Sequence, residues 1–253
     1  MVAADFVDKL WQARSAGDFC PEWLPGALTF EEALEVQLGL LERELAAGET
    51  LGGWKVGLTS PRARAAIKAD VRPFGYVLES RIFASGATID AEAIRAPSIE
   101  PELCFTIGAA LSGPVSREQV AAAISTISAG FEINERRTGS ARPDMPAMTT
   151  DRLTQWGIVV GEGVALAAAG DLGAIHCTLT RNGESVYEGI SRDELDDHLD
   201  SLGRLVQQLG AYGRRLEPGQ RVITGAFARR DAAGGQVWRT TYEPVGAVEL
   251  TLR

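Results

Sequence analysis

Ser98-Ile-Glu-Pro-Glu-Leu-Cys-Phe-Thr-Ile107 is the stretch around which the rest of the chain is arranged. Branched and aromatic residues fill its second half, which predicts a β-strand. Side chains two residues apart in a strand point to the same side, so Glu100 and Glu102 should project together. Two adjacent carboxylates repel each other unless a positive charge compensates them. The pair therefore lies either on a solvent-facing edge strand or beside a hard divalent cation such as Mg²⁺ or Mn²⁺.

The composition excludes several classes of protein. The chain has 253 residues, of which 45% are hydrophobic, and a formal net charge of −9, which argues against a nucleic-acid partner. Cys20, Cys104 and Cys177 form no CxxC pair, so neither disulfides nor a zinc site is expected and a reducing cytoplasm is predicted. The sequence has no apolar run long enough for a membrane span and no signal-peptide pattern at its start.

The first 50 residues predict a helical layer. Phe6, Leu10 and Trp11 have helical spacing, and Thr29 with Glu32 forms a capping box that begins a second helix. Further capping boxes are predicted at Ser116–Gln119 and at Ser191–Glu194, the latter opening a helix that runs to about Leu209.

Residues 51–253 predict a β-rich core. The strands are short, without βαβ alternation, and Asn182-Gly183 is a strong hairpin signal. We therefore predict an α+β fold, with a distorted mixed β-barrel or roll under the N-terminal helices, in one domain covering residues 1–253. Residues 138–151 have no periodicity and predict a long loop of the lid type.

The motifs of the sequence favour a site that uses carboxylate oxygens. No G-x-S-x-G elbow, P-loop or H-E-x-x-H motif occurs. His176 is predicted on an apolar hairpin strand and His198 on a charged helix face, which disfavours a histidine triad or a histidine-rich metal site. Glu100 and Glu102 remain, with Glu132 as a candidate third carboxylate and Lys55 as a positive partner for an anionic substrate.

Six segments in order resemble the 2-keto-4-pentenoate hydratase and 4-oxalocrotonate decarboxylase family of the fumarylacetoacetate hydrolase superfamily. The resemblance covers residues 50–253, and no single segment is specific by itself. The segments are Trp54-Lys-Val-Gly-Leu-Thr-Ser60, Phe74-Gly-Tyr-Val-Leu78, Ile99-Glu-Pro-Glu-Leu-Cys-Phe105, Phe131-Glu-Ile-Asn-Glu-Arg136, Val222-Ile-Thr-Gly-Ala226 and Gly246-Ala-Val-Glu-Leu250.

The resemblance implies the fumarylacetoacetate hydrolase C-terminal fold and a Mg²⁺ or Mn²⁺ site. It implies Glu100, Glu102 and Glu132 as metal ligands, with Lys55 and Glu132 as catalytic residues. The substrate class it implies is 2-hydroxy-2,4-dienoates or their 2-oxo tautomers, from meta-cleavage of aromatic rings. The implied substrate-binding residues are Lys55, Leu58, Thr59, Ser60, Leu103, Asp151, Thr224 and Gly225.

Three activities stay open at this point: addition of water at C4, decarboxylation of a 2-oxo-dioate, and hydrolysis of a C–C bond. The resemblance also implies a homo-oligomer and a possible complex with a cognate pathway enzyme, or a non-catalytic partner role. The chain departs from the family at Asp151-Arg-Leu-Thr-Gln-Trp-Gly157 and at Gly189-Ile-Ser-Arg-Asp-Glu194. Arg136, Arg137 and Arg152 either bind a second substrate carboxylate or lie exposed on the surface.

Overall fold

The computed structural model describes residues 2–68, 70–137 and 139–253. The α-helices in these ranges are α1 Val2–Ser15, α2 Phe30–Ala46, α3 Pro61–Ile67, α4 Arg117–Ala123, α5 Met145–Thr150, α6 Ser191–Glu194 and α7 His198–Ala211. The strands are β1 Leu51–Val56, β2 Phe74–Leu78, β3 Ile82–Ala84, β4 Ala87–Ile89, β5 Pro97–Ile107, β6 Ile124–Glu135, β7 Gln155–Val164, β8 His176–Arg181, β9 Glu184–Ile190, β10 Arg221–Ala226, β11 Arg230–Asp231, β12 Gln236–Glu243 and β13 Gly246–Leu252. Among the described helices, none combines the length and apolar character needed to cross a membrane.

An eight-stranded sheet carries the predicted acidic strand at its centre. Its order is β2-β1-β10-β5-β6-β7-β3, with β11 paired to one end of β5. The β1–β10 and β3–β7 pairs are parallel and the remaining pairs are antiparallel. The sheet is therefore mixed and largely antiparallel, as the short turn-separated strands predict.

A second sheet, of order β4-β13-β12-β8-β9, packs against the first. Strands β12 and β13 lie against β6, and β13 also lies against β7. The predicted Asn182-Gly183 turn joins β8 to β9, with Asn182 and Gly183 both at positive φ, as this turn requires. The α+β prediction with a curled mixed sheet is confirmed.

The helices α1 and α2 form the predicted N-terminal layer. The Thr29–Glu32 capping box is present at the start of α2, and the Ser116–Gln119 box starts α4. One face of α2 packs against α1, and its Leu34, Leu38 and Leu41 join the core beneath the large sheet. Burial of these leucines, at roughly 1.5–3 kcal/mol each, holds the layer on the sheet. The assignment of residues 1–253 to one domain stays a prediction, and Met1 lies outside the described residues.

Three local predictions were wrong. Ser191 does not cap a long helix: its Oγ contacts His198 Nε2 at 2.8 Å, and Asp197 caps α7 by accepting from Asp200 N. The predicted 138–151 loop contains α5, which Asp144 caps by accepting from Ala147 N, and its Thr138 lies outside the described residues. The apolar segments Gly157–Val160 and Gly163–Ala167 predict two strands, but Gln155–Val164 forms the single strand β7.

Candidate active site

The register of β5 and β6 brings the three predicted carboxylates together. Glu100 and Glu132 are directly opposite in this antiparallel pair, and Glu102 lies two residues further along β5 on the same face. One carboxylate oxygen from each of the three residues lies within 4.8 Å of the others. Like charges opposite each other destabilise a sheet, so this arrangement needs compensation from outside the strand pair.

Lys55 supplies part of that compensation. It lies on β1, which is separated from β5 by β10 alone, and its Nζ donates to Glu132 Oε1 at 2.5 Å. Lys55 is 5% exposed and Glu132 1%, so the ion pair is buried. A buried pair of this kind holds both groups in place, because losing either partner leaves an uncompensated buried charge.

A bulge in β10 positions Glu102. Between the Ile223–Cys104 and Ala226–Glu102 pairs, two residues of β10 face one residue of β5. Gly225 lies in this bulge at φ +125°, and its N–H donates to Glu102 Oε2 at 2.6 Å. An added Cβ at Gly225 would lie 1.7 Å from Thr59 Oγ1, so the bulge needs glycine. The backbone amide fixes one oxygen of Glu102 and adds positive character beside it.

The carboxylates resist ionisation in this setting. Burial, followed by repulsion from Glu132, raises the pKa of Glu100 to about 7, while Lys55 and Arg229 oppose the shift. The pKa of Glu102 is raised well above its ordinary value, again by burial first and then by Glu132 and Glu100. The cluster holds more negative charge than its protein cations offset, so it favours taking up a proton or a cation.

The carboxylates line a cavity of about 270 Å³. Its lining residues come from the end of β1, the segment after it and α3, from β5, β6, β10 and the loop after β10, and from α5 and the turn after it. They are Lys55, Val56, Gly57, Leu58, Thr59, Ser60, Ala63, Glu100, Glu102, Glu132, Asn134, Met145, Met148, Leu153, Gly225, Ala226 and Arg229. A mostly apolar cavity with a few convergent polar groups is the usual form of a small-molecule site.

Residues 57–60 form the segment between β1 and α3, and an ion-pair network around Asp196 holds this segment at the cavity. Arg64 donates to Leu58 O at 2.6 Å and to both oxygens of Asp196 at 2.9 and 3.0 Å. Asp196 also accepts from Arg72, and its N–H donates to Thr59 O. Ser60 caps α3 by accepting from Ala63 N. The segment is thereby tied to both α3 and the chain before α7.

Five of the predicted substrate-binding residues line the cavity: Lys55, Leu58, Thr59, Ser60 and Gly225. The structure does not bring Leu103, Thr224 or Asp151 to it. Leu103 alternates with Glu102 along β5 and is fully buried in the core on the other face. Thr224 is fully buried, with its Oγ1 bonded to His198.

The arginines considered for a second substrate carboxylate also lie outside the cavity lining. Asp151 forms an ion pair with Arg137, whose guanidinium also donates to Glu135 Oε2 at 2.9 Å and to Gln155 O at 3.0 Å. The guanidinium of Arg152 lies over the ring of Tyr76, with Cζ 4.7 Å from the centroid. The arginine that does line the cavity is Arg229, with its Nη1 3.4 Å from Glu100 Oε1.

The prediction that His198 lies on a charged helix face is wrong. It is 1% exposed at the start of α7, where its two ring nitrogens contact Ser191 Oγ and Thr224 Oγ1 at 2.8 and 2.7 Å. Burial lowers the pKa of His198 to about 4, so the ring is neutral. It does not line the cavity, and it supports β10 behind the Glu102 contact. Its place behind the bulge gives no support to a histidine that activates water in the cavity.

Sequence reasoning missed several lining residues. Asn134 continues the Glu132 face of β6, a relation that the two-residue strand period could have revealed. Met145 and Met148 lie on one side of the unpredicted helix α5, at a helical spacing of three. Leu153 and Arg229 carry no signal in the sequence, because tertiary placement of two loops brings them to the cavity.

The curled mixed sheet and its carboxylate-lined cavity define the class of protein: an α+β fold with an acidic cluster in a cavity of small-molecule size. The sequence model of the fumarylacetoacetate (FAA) hydrolase C-terminal family matches residues 54–252, so the chain belongs to this family. The resemblance found in the six segments is thereby confirmed.

Relatives with established names include hydratases and decarboxylases. The chain is 26% identical over 227 residues to the 2-hydroxyhexa-2,4-dienoate hydratase of Comamonas testosteroni, covering 88% of this chain and 86% of that one. It is 27% identical over 201 residues to the 4-oxalocrotonate decarboxylase of Pseudomonas sp. (strain CF600), covering 79% and 76%. The structure of 4-oxalocrotonate decarboxylase from Pseudomonas putida G7, complexed with magnesium and adipate, has a TM-score of 0.89 at 23% identity, covering 99% of this chain and 97% of that one. The last similarity extends the shared fold to the N-terminal helices.

Proposed function

We propose that this protein is a divalent-metal-dependent hydratase that adds water to C4 of 2-hydroxy-2,4-dienoates or their 2-oxo tautomers, in catabolism of the meta-cleavage type. The observation that carries the proposal is the meeting of Glu100, Glu102 and Glu132 with Lys55 in one cavity. The sequence similarity to enzymes named hydratases supports it.

The donor set fits a hard divalent cation. Glu100, Glu102 and Glu132 would hold the ion, because carboxylate oxygens are the ligands that Mg²⁺ and Mn²⁺ prefer. Their three charges face Lys55 and the partly exposed Arg229, and the raised pKa values of Glu100 and Glu102 reflect this deficit of positive charge. When bound, such an ion supplies a Lewis acid that polarises the C2 oxygen of a 2-oxo acid.

The side chains around the cluster have separate tasks in this proposal. Lys55 Nζ lines the cavity and is the group assigned to hold and move a proton at the substrate's carbon chain, with Glu132 fixing its position. Met145, Met148 and Leu153 form an apolar wall that suits a diene chain and excludes water from it. The hydroxyls of Thr59 and Ser60 offer hydrogen bonds to the substrate carboxylate.

A second candidate function, decarboxylation of a 2-oxo-dioate, is favoured by one observation. Arg229 lies at the cavity with 52% of its side chain exposed, 3.4 Å from Glu100. An arginine there suits the distal carboxylate that a dioate has and a simple dienoate lacks. The similarity to enzymes named 4-oxalocrotonate decarboxylase agrees with this alternative.

The deciding experiment follows the ultraviolet absorbance of 2-hydroxypenta-2,4-dienoate and of 2-oxohex-3-enedioate with Mg²⁺, with and without a chelator. Loss of the dienol without CO₂ supports the hydratase, and release of CO₂ from the dioate supports the decarboxylase. Both reactions should stop when the chelator is present. Turnover that is unchanged by the chelator contradicts metal dependence, and no turnover of either compound contradicts both activities.

The ligand assignment has its own test in Glu102→Gln, which keeps the shape of the side chain. We expect Mn²⁺ binding, measured by calorimetry, to weaken by at least about tenfold while the circular-dichroism spectrum is kept, since one charged ligand is lost. Glu162→Gln, an exposed change on β7, is the matched control and should bind as the parent does. Metal binding by the Glu102 variant at parental strength would contradict the assignment.

The proposal extends to location and assembly. The three cysteines are free and buried, which suits a reducing cytoplasm. Self-association and a complex with a cognate pathway enzyme stay predictions, and sedimentation of the purified chain tests the first of them.

A further inference from the structure

A second cavity, of about 230 Å³, lies between the N-terminal helices and the turn after α5. It is separate from the carboxylate cavity, and the two share no lining residue in the described part of the chain. Its lining residues are Trp11, Arg14, Ser15, Phe19, Glu44 and Arg152. Two guanidinium groups and two aromatic rings therefore face a space that the proposed reaction does not use.

Arg152 lacks an acceptor in this space. It is 8% exposed, and its buried Nε has no hydrogen-bond partner among the described residues. The structure gives the guanidinium a contact with the ring of Tyr76 and no ion pair within the described ranges. A buried donor of a charged group is costly to leave without an acceptor. Such a group needs an anion.

Arg14 adds a second set of donors. Its Nε is buried and has no partner among residues 2–68, 70–137 and 139–253. Its Nη2 reaches Thr150 Oγ1 at 3.5 Å and Asp151 Oδ1 at 3.8 Å, both at the limit of contact. Burial, the largest cause, lowers the pKa of Arg14, and Asp151 opposes that shift. Asp151 is meanwhile engaged by Arg137. The Tyr76 hydroxyl, also buried, has no described partner either. Buried donors of Arg14 and Arg152 therefore lack acceptors on this side of the fold.

The acid nearest to this space does not remove the deficit. Glu44 lines the cavity from α2, but the described contacts include no ion pair between Glu44 and either arginine. Beside the cavity, the buried Asp151 is ion-paired with Arg137, which also donates to the half-buried Glu135. Among the described lining residues, two guanidinium groups therefore face one carboxylate, that of Glu44.

We propose that the Arg14–Arg152 cavity is a binding site for a small oxyanion, a carboxylate or a phosphate, distinct from the reaction cavity. The two guanidinium groups bind its oxygens, and the rings of Trp11 and Phe19 cover the rest of the ligand. The site is coupled to the reaction cavity, because Leu153 follows Arg152 directly and lines that cavity. Arg152, Leu153 and Thr154 all have left-handed φ values of 54°, 55° and 68°, a conformation that an anion on Arg152 would stabilise.

The test is calorimetry and thermal unfolding of the metal-free full chain with sodium benzoate and, separately, inorganic phosphate. We expect at least one anion to bind and to raise the melting temperature, and Arg152→Met to weaken that binding by at least about tenfold. Arg152→Met without anion should melt no lower than the parent, because it removes an unpaired buried charge. Arg204→Met, an exposed change on α7, is the matched control and should bind as the parent does.

The two anions and the variants distinguish the chemical class of the ligand and the cavity in which it binds. Binding of benzoate alone indicates an aromatic carboxylate, and binding of phosphate alone indicates a phosphoryl ligand. Glu44→Gln should tighten either one by removing a competing carboxylate. Loss of binding in Arg229→Met but not in Arg152→Met would place the anion in the reaction cavity and overturn the proposal. Equal binding by the parent and Arg152→Met, or no binding of either anion below about 10 mM, would also overturn it.

Discussion

At the scale of single residues, the carboxylate cluster shows how an unfavourable pairing of two like charges is compensated. Glu100 opposite Glu132 is an unfavourable cross-strand pair, in which Glu132 is buried and Glu100 is half-buried. Lys55 is the one buried cation among the cavity residues, and it reaches Glu132 rather than solvent. A lysine between Trp54 and Val56 in an apolar strand therefore has a specific electrostatic task.

Replacing Lys55 by methionine should lower both stability and turnover. The change leaves Glu132 buried without its ion pair, which costs on the order of 3 kcal/mol in the free energy of unfolding at pH 7. Loss of the proposed proton carrier should reduce kcat by about 10²-fold or more.

Urea unfolding at pH 7 and steady-state kinetics check these expectations. Lys9→Met, on the exposed face of α1, is the matched control and should change neither quantity measurably. If Lys55→Met unfolds at the parental urea concentration at pH 7, the buried pair is not a source of stability.

At the scale of elements, the bulge of β10 joins three parts of the site. It sets the Gly225 N–H toward Glu102, brings Gly225 against Thr59, and places Thr224 on His198. A regular strand would direct the same N–H into the ladder with β5. The bulge therefore frees the Gly225 N–H from the sheet, and this N–H donates to Glu102 of the carboxylate cluster instead.

Replacing Gly225 by alanine should disrupt this element. The φ of +125° disfavours any side chain by about 1–3 kcal/mol, and the Cβ would also collide with Thr59 Oγ1. Gly246→Ala is a close control, because Gly246 has φ +127° but open space around an added Cβ. Thermal unfolding should show a larger loss for Gly225→Ala than for Gly246→Ala, and Mn²⁺ binding should weaken only in the former.

The collision with Thr59 can be separated from backbone strain. The double variant Thr59→Ala with Gly225→Ala should regain part of the stability lost in Gly225→Ala. Equal losses in Gly225→Ala and Gly246→Ala would contradict a special role for close packing at the bulge.

At the scale of the whole molecule, the acidic cluster should shape the pH dependence of stability. The pKa of Glu100 is raised from an ordinary 4.5 to about 7. The Glu100 carboxyl group therefore does not destabilise the folded state below about pH 4.5. As the pH rises from there through about 7, the free energy of unfolding of the metal-free protein decreases. His198 acts in the opposite direction, because its pKa is lowered from 6.5 to about 4 and stability is lost as the pH falls from 6.5 to 4.

Glu100→Gln isolates the acidic contribution. In the metal-free protein this variant should match the parent near pH 4.5 and exceed it by on the order of 3 kcal/mol at pH 8, as measured by urea unfolding. Added Mg²⁺ should stabilise the parent more than the variant, since binding to the folded state alone raises stability. Glu162→Gln should follow the parent at each pH. A variant that is less stable than the parent at pH 8 without metal would contradict the raised pKa of Glu100.

The sequence by itself determined the parts of this protein that depend on local rules. The strand period placed Glu100 and Glu102 on one face, the Thr29–Glu32 box began α2, and Asn182-Gly183 fixed a hairpin. The short strands without βαβ alternation predicted the curled mixed sheet, and the six ordered segments predicted the family. Each of these inferences needs only neighbours within a few residues, or a pattern spread along the chain.

Only the tertiary structure decided what depends on distant contacts. The register of β5 on β6 set Glu132 opposite Glu100, and the sheet order brought Lys55 to them across β10. Ser191 bonded to His198 instead of capping a helix, because a buried imidazole needed a partner more than a local amide did. Arg229 reached the cavity and Leu103 turned away from it. Register, bulges and burial arise from packing between elements far apart in the chain. Local secondary-structure propensity therefore does not predict them.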